Sequence, residues 1–150
     1  MCIRDRYIDV RDVAAFSIHL AENNTAGMFN AAGPASPMTS TAFVYGAHAA
    51  FSSPIEYIPI DDYDFLKENN MRFLCPWVMP DGKFEGMCSA DNSSAVKAGL
   101  TFTPLATTLQ DIYEWWHSDA VSEERRNNMM TGENSPLTFE KKIIKAWKNR

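Results

Sequence analysis

Tyr63-Asp64-Phe65-Leu66-Lys67 sets a phenol and an ammonium four residues apart. On one helical turn the cation can lower the phenol's pKa, so that the hydroxyl exchanges a proton with a substrate. With five Tyr and seven Lys in the chain, one such spacing arises readily by chance, and the residues read better as an ordinary helix start. Gly27 to Gly33, GMFNAAG, has the outer spacing of a glycine-rich loop that cradles a pyrophosphate. Such a cradle must follow a strand and open a helix. Here the segment is itself apolar and strand-like, and Pro34 follows. It therefore reads as structure and leaves no obvious source of dinucleotide affinity. His19, His48 and His117 stand on separate predicted helices without a partner at i+3 or i+4, the spacing a helical metal site needs. No Gly-x-Ser-x-Gly occurs, and neither Cys75 nor Cys88 has a base beside it, so nucleophilic catalysis has no local support.

Two groups carry more. In YIDVRDVA, Asp9 or Asp12 can cap a helix, and Arg11 can reach a nearby carboxylate or carbonyl. A cap plus an ion pair is the plain reading, and direct contact of Arg11 with a substrate is the functional one. Farther on, Phe73, Cys75, Pro76, Trp77, Val78, Met79 and Pro80 crowd apolar and aromatic side chains onto a stretch without regular periodicity. They can wall a pocket, since pockets are mostly apolar with a few placed polar groups, or plug a gap between core elements. The candidate substrate-pocket set is accordingly Phe73, Pro76, Trp77, Met79 and Pro80 with Arg11. No catalytic, cofactor-binding or metal-binding residue is identified.

These residues need a scaffold. A chain of 150 residues can form one domain and bury roughly two-thirds of its unfolded surface. At 45% hydrophobic and 22% charged, with four Trp and nine Phe, it has ordinary globular composition. A net charge of −5 argues against a nucleic-acid surface, and the Arg125-Arg126 and Lys141-Lys142-Lys145-Lys148 clusters read as solvated helix faces. Cys2, Cys75 and Cys88 are odd in number and widely spaced, which fits free thiols in a reducing cytoplasm. No apolar run approaches the length of a membrane span. The opening MCIRDR lacks the apolar region of a signal peptide, and residues 1–6 are expected to be a non-native or truncated leader.

The periodicities predict alternating strands and helices. Tyr7 to Val10 reads as a short strand, followed by a helix whose core stripe includes Val13, Phe16 and Leu20. Met28 to Ala31 reads as a strand broken by Gly33-Pro34, and Ser36 to Thr41 supply caps for a helix running to Phe51. IEYIPI reads as a strand ending near Pro59, then Asp61-Asp62 open a short helix. Asn69 to Gly86 is predicted to be a long loop. Asp91 or Asn92 caps a helix that ends at Gly99, and Leu105, Leu109, Ile112, Tyr113 and Trp116 fall on one core-facing helical stripe. Ser135-Pro136 opens a final helix.

In order, YIDVRDVAAF, GMFNAAGP, the PWVMP loop and DNSSAVKAGLTFTPLATTLQDIYEWW resemble the carboxyl-terminal part of the extended short-chain dehydrogenase/reductases, the NAD(P)-dependent epimerase/dehydratase family. The closing SPLTFEKKIIKAWKNR is similar to the tail helix of one subgroup. Ser93-Ser94 stand where the family often has Ser-Arg. The family's catalytic Tyr-x-x-x-Lys precedes the element that YIDVRDVA resembles, whereas Tyr63–Lys67 follows it.

The resemblance implies an α/β fold: residues 7–150 as the substrate-side lobe of an extended Rossmann-type enzyme, with a few short strands and about six helices. The parent protein would bind NAD or NADP in a missing amino-terminal Rossmann half and act on a hydroxyl or carbonyl carbon of a small, for example sugar-like, substrate. This chain alone is expected to bind no cofactor and to be inactive. The implied partners are the small-molecule substrate, the missing half and a second copy of the parent protein, with no nucleic acid and no membrane, in the cytoplasm. Two alternatives are a non-catalytic relative acting as a binding protein or scaffold and a free-standing small α/β module. Dye binding separates the module from a lobe: a lobe exposes the apolar face that met its Rossmann half and enhances the fluorescence of a hydrophobic dye, whereas a free-standing module leaves the dye dark and unfolds cooperatively.

Overall fold

The computed structural model describes residues 5–71, 73–74, 77–79, 90–133 and 135–150, with the side chains of residues 5, 6, 73, 74, 77 and 78 left aside. Among them are seven helices and four short strands, so the fold is mixed and mostly helical. The chain divides into two units, residues 1–52 with 75–109 and residues 53–74 with 110–150.

The first unit opens with β1 (Asp5–Tyr7) and helix α1 (Val10–Glu22). Asp9 is the N-cap: its backbone is extended and its carboxylate accepts the Arg11 N–H. β2 (Gly33–Met38) pairs antiparallel with β1, matching Asp5 to Met38 and Tyr7 to Gly33 with an irregularity between. This corrects the sequence reading twice. Met28 to Ala31 is not a strand, and the Gly33-Pro34 pair expected to end one begins it instead. A two-stranded ribbon leaves edges where a proline's missing N–H disrupts no ladder.

Thr39 caps α2 (Ser40–Ala49) by accepting the Ala42 N–H. Two two-residue strands fall where a loop was expected, β4 (Trp77–Val78) in this unit and β3 (Phe73–Leu74) in the other. Helix α4 (Ser93–Lys97) follows, and α5 (Leu105–His117) begins in this unit. The core of the unit is Phe16, Ala95 and Leu100, with Ile8, Leu20, Phe29, Ala31, Ala98 and Phe102 packed on it. Phe16 and Phe29 meet edge to face at 5.7 Å.

In the second unit, Asp62 caps α3 (Tyr63–Glu68), Ser122 caps α6 (Glu123–Thr131) and Ser135 caps α7 (Pro136–Lys148) with Pro136 in its first turn. Phe65, Leu66, Met71, Val121 and Ile143 are its buried apolar residues. Trp147 and Phe65 meet tilted at 59° with ring centres 5.0 Å apart, and Arg150 lies over both rings while pairing with Asp62. Arg126 Nη1 donates to the Trp116 and Ser118 carbonyls, which satisfies the end of α5. IEYIPI forms no strand, and Ile55 and Tyr57 are exposed. Alternation needs a partner to become a ladder, and Pro59 lacks a donor.

The α5 stripe also departs from expectation. No residue of this helix is buried, and Ile112 and Tyr113 are 50% and 53% exposed. Periodicity identifies an apolar face but does not say what covers it.

Three helices end alike. The residue after the C-cap turns left-handed at Asn24, Asn70 and Gly99, with φ of 50°, 59° and 103°. Each time its N–H and the next one bond back to the last turn, as in Leu100 N–H to the Ala95 carbonyl at 2.9 Å. A Cβ on Gly99 would stand 2.6 Å from His19 Nε2. Gly99→Ala is therefore expected to lower stability by about 1–2 kcal/mol, while Asn70→Gly is neutral or raises it by up to about 0.5 kcal/mol. Urea denaturation of the two variants measures both changes.

Candidate functional site

In the first unit a cleft of about 480 Å³ opens between β2, the first turns of α1 and α2, and residues 102–105. That volume lies within the range of small-molecule pockets. Its walls are mostly apolar, with Pro34, Pro37, Met38, Phe102, Pro104 and Leu105 beside the polar Tyr7, Ser36 and Thr39. Asp9 and Asp12 are the carboxylates among its described walls.

Their positions follow from the start of α1. As N-cap, Asp9 offers its carboxylate to the helix's unpaired N–H groups. Oδ1 accepts the Arg11 backbone N–H and Nε at 2.9 Å each, and Oδ2 accepts Arg11 Nη2 at 2.6 Å and the Thr108 hydroxyl at 2.7 Å. One turn on, Asp12 Oδ2 accepts the Thr103 N–H at 2.8 Å and Oδ1 accepts the Thr103 hydroxyl at 2.7 Å. Two carboxylates on one helical turn thus tie α1 to residues 103–108.

A second pair of ties closes the other side. Asn92 is buried and donates to the carbonyls of Ala32 (2.7 Å) and Pro34 (3.1 Å), while Asn30 donates to the Asp91 carbonyl (2.9 Å). Asp91, not Asn92, takes the Ser93 N–H at the start of α4.

The Arg11 guanidinium, through its hydrogen bond, holds the Asp9 carboxyl well below the usual carboxylate range. Burial pushes the Tyr7 phenol up, with the Asp12 charge adding to it. Tyr7 is therefore a neutral hydroxyl at physiological pH, and its ring rests edge-on against Phe43 at 5.4 Å.

The cleft differs from the set read off the sequence. Arg11 sits on Asp9 rather than among the cleft walls, with its side chain 55% exposed. Met79 is 1% exposed and fills the interior. Phe73 falls in β3 and Trp77 in β4. Pro76 and Pro80, like Cys2, Cys75 and Cys88, lie outside the described residues. Sequence reasoning passed over Tyr7, Phe102, Thr103 and Thr108. The one available signal was a pair of Asp residues at the cap and first turn of a single helix.

Gly27 to Gly33 does not fit a dinucleotide cradle, because it leads into β2 and not into a helix. The space a Gly33 Cβ would take is held by the Tyr7 carbonyl at 2.5 Å and the Phe102 ring at 3.0 Å. Tyr63 begins α3, where burial raises its phenol pKa and Lys67 pairs with Asp64 at 3.5 Å. A phenol activated by lysine would be shifted the other way. Among the described residues no three His, Cys, Asp or Glu side chains gather as metal ligands, and no helix is long and apolar enough to cross a membrane.

Asp9→Ala removes the cap and strands the Thr108 hydroxyl, and is expected to cost about 2 kcal/mol. Thr108→Val costs about 1 kcal/mol, and the double variant less than the sum, in chemical denaturation. With its folded pKa below the unfolded value of about 3.9, Asp9 contributes fully above that pH, and the contribution is lost as the pH falls below it. Asp9→Ala should accordingly flatten the wild-type loss of stability below about pH 4. No family model, curated protein or solved structure matches the chain.

Proposed function

We propose that this chain is the substrate-side part of an NAD(P)-dependent epimerase or reductase acting on a hydroxyl- or carbonyl-bearing carbon of a small molecule. One observation carries the reading. The stretches YIDVRDVAAF, GMFNAAGP and DNSSAVKAGLTFTPLATTL, whose order resembles that family, border one cleft, the second of them through Pro34. Their polar residues Asp9, Asp12, Asn30, Asn92, Thr103 and Thr108 are the ones that tie them together.

In this reading the chain binds and orients the substrate, and its apolar walls exclude water from it. Hydride chemistry and proton transfer belong to the missing Rossmann half, which binds NAD or NADP, and no step is assigned to Tyr63 or Lys67. The parent protein works in the cytoplasm on a small molecule, with a second copy of itself as a further partner. The exposed apolar residues of α1, Val10 at 77% and Ile18 at 60%, are consistent with a helix that another part of the protein covers.

Isothermal titration of the chain with NADPH should show no submicromolar binding. The coding sequence upstream of Tyr7 should encode a strand, a glycine-rich loop opening a helix, and then Tyr-x-x-x-Lys. Submicromolar NADPH binding by the chain alone, or an upstream sequence without those elements, overturns the reading.

A further inference from the structure

Hydrogen-bond capacity separates the two carboxylates of the cleft. A carboxylate has about four acceptor positions. Asp9 fills them with the Arg11 N–H, Nε and Nη2 and the Thr108 hydroxyl. Asp12 accepts only the Thr103 N–H and hydroxyl among the described residues, which leaves two positions on a side chain that borders the cleft. Carboxylates accept and do not donate, so what meets Asp12 must donate.

Charge points the same way. The Asp9 charge is offset by Arg11 at 2.6 Å, whereas Asp12 has no cationic partner among the described residues. The first turn of α2 also borders the cleft, and a helix start carries about half a positive charge. Thr39 already takes one of its N–H groups, which leaves less of that charge for an anion. The other walls are apolar apart from hydroxyl groups, among them the phenol of Tyr7.

We propose that the cleft selects an uncharged, non-phosphorylated ligand with an apolar body and a hydroxyl group, the hydroxyl donating to Asp12 and accepting from Tyr7. This rests on the reading of the cleft as a substrate site and narrows it to a class. An ionised phosphate or carboxylate group at the same place would face Asp12 with acceptors and a like charge.

Benzyl alcohol and benzoate are probes of matched size that differ in this respect. Each is titrated into the 150-residue chain and followed by backbone amide NMR shifts. Benzyl alcohol should shift the amides of Tyr7, Met38 and Thr103, with benzoate binding roughly tenfold more weakly. Asp12→Asn should close the gap between the probes. Tyr7→Phe, which leaves the Thr103 ties intact, should weaken benzyl alcohol roughly fivefold and benzoate little. Equal binding of both probes to the wild type overturns the selection and leaves the cleft a ligand site. Shifts from neither probe overturn the substrate-site reading, and the selection with it.

Discussion

The first unit depends on a carboxylate that it has almost removed from water. Asp9 is 6% exposed, and a charge in that position is tolerated only when its acceptor sites are filled. Filling them required a helix start, a guanidinium and a threonine 99 residues away in sequence. The placement of α1, the start of α5 and the intervening walls of the cleft follows from that requirement. Asp12 repeats the arrangement one turn on, so the start of α1 is tied both to α5, through Thr108, and to the segment just ahead of it, through Thr103. The apolar core of Phe16, Ala95 and Leu100 contributes cohesion, but it is non-directional. The carboxylates set the register.

Local signals were readable in the sequence and cross-chain ones were not. The cap at Ser135 and the turn at Gly99 stand where residue type alone placed them, and the caps at Asp9 and Asp62 are each one of the two acids the sequence offered, because capping is settled between near neighbours. Asp91 or Asn92 was read as a cap for the same reason; Asp91 takes the Ser93 N–H, and the Asn92 amide crosses to Ala32 and Pro34. Nothing within a few residues of Asn92 could reveal partners 58 and 60 positions away. IEYIPI failed in a related way: alternation prepares a strand, and only a neighbour with free donors and acceptors makes one. The apolar stretch of sequence from Phe73 to Pro80 drew attention through its residue types, while the cleft was assembled from prolines, threonines and a tyrosine that carry no motif.

The same ties join pieces of sequence that lie far apart in the chain. Each supplies one end of a long-range bond, and each is uninformative alone. Asp12 without Thr103 is a first-turn acid, and Thr103 without Asp12 is a residue in an irregular segment. Function in this reading belongs to the set, with the cleft as the space that the bonded pieces enclose.

Gly33 fixes what such a cleft can become. Its missing Cβ leaves room that the Tyr7 carbonyl and Phe102 have taken, so the inner edge of β2 is closed to any larger residue without moving backbone. Ala35, Ser36 and Pro37, on the same strand and along the same walls, are exposed and meet no such limit. Substitutions that reshape the cleft would therefore run through those three positions, with one end of the strand held constant by the backbone of β1 at Tyr7 and by Phe102. The cleft is evolvable on one flank and frozen on the other.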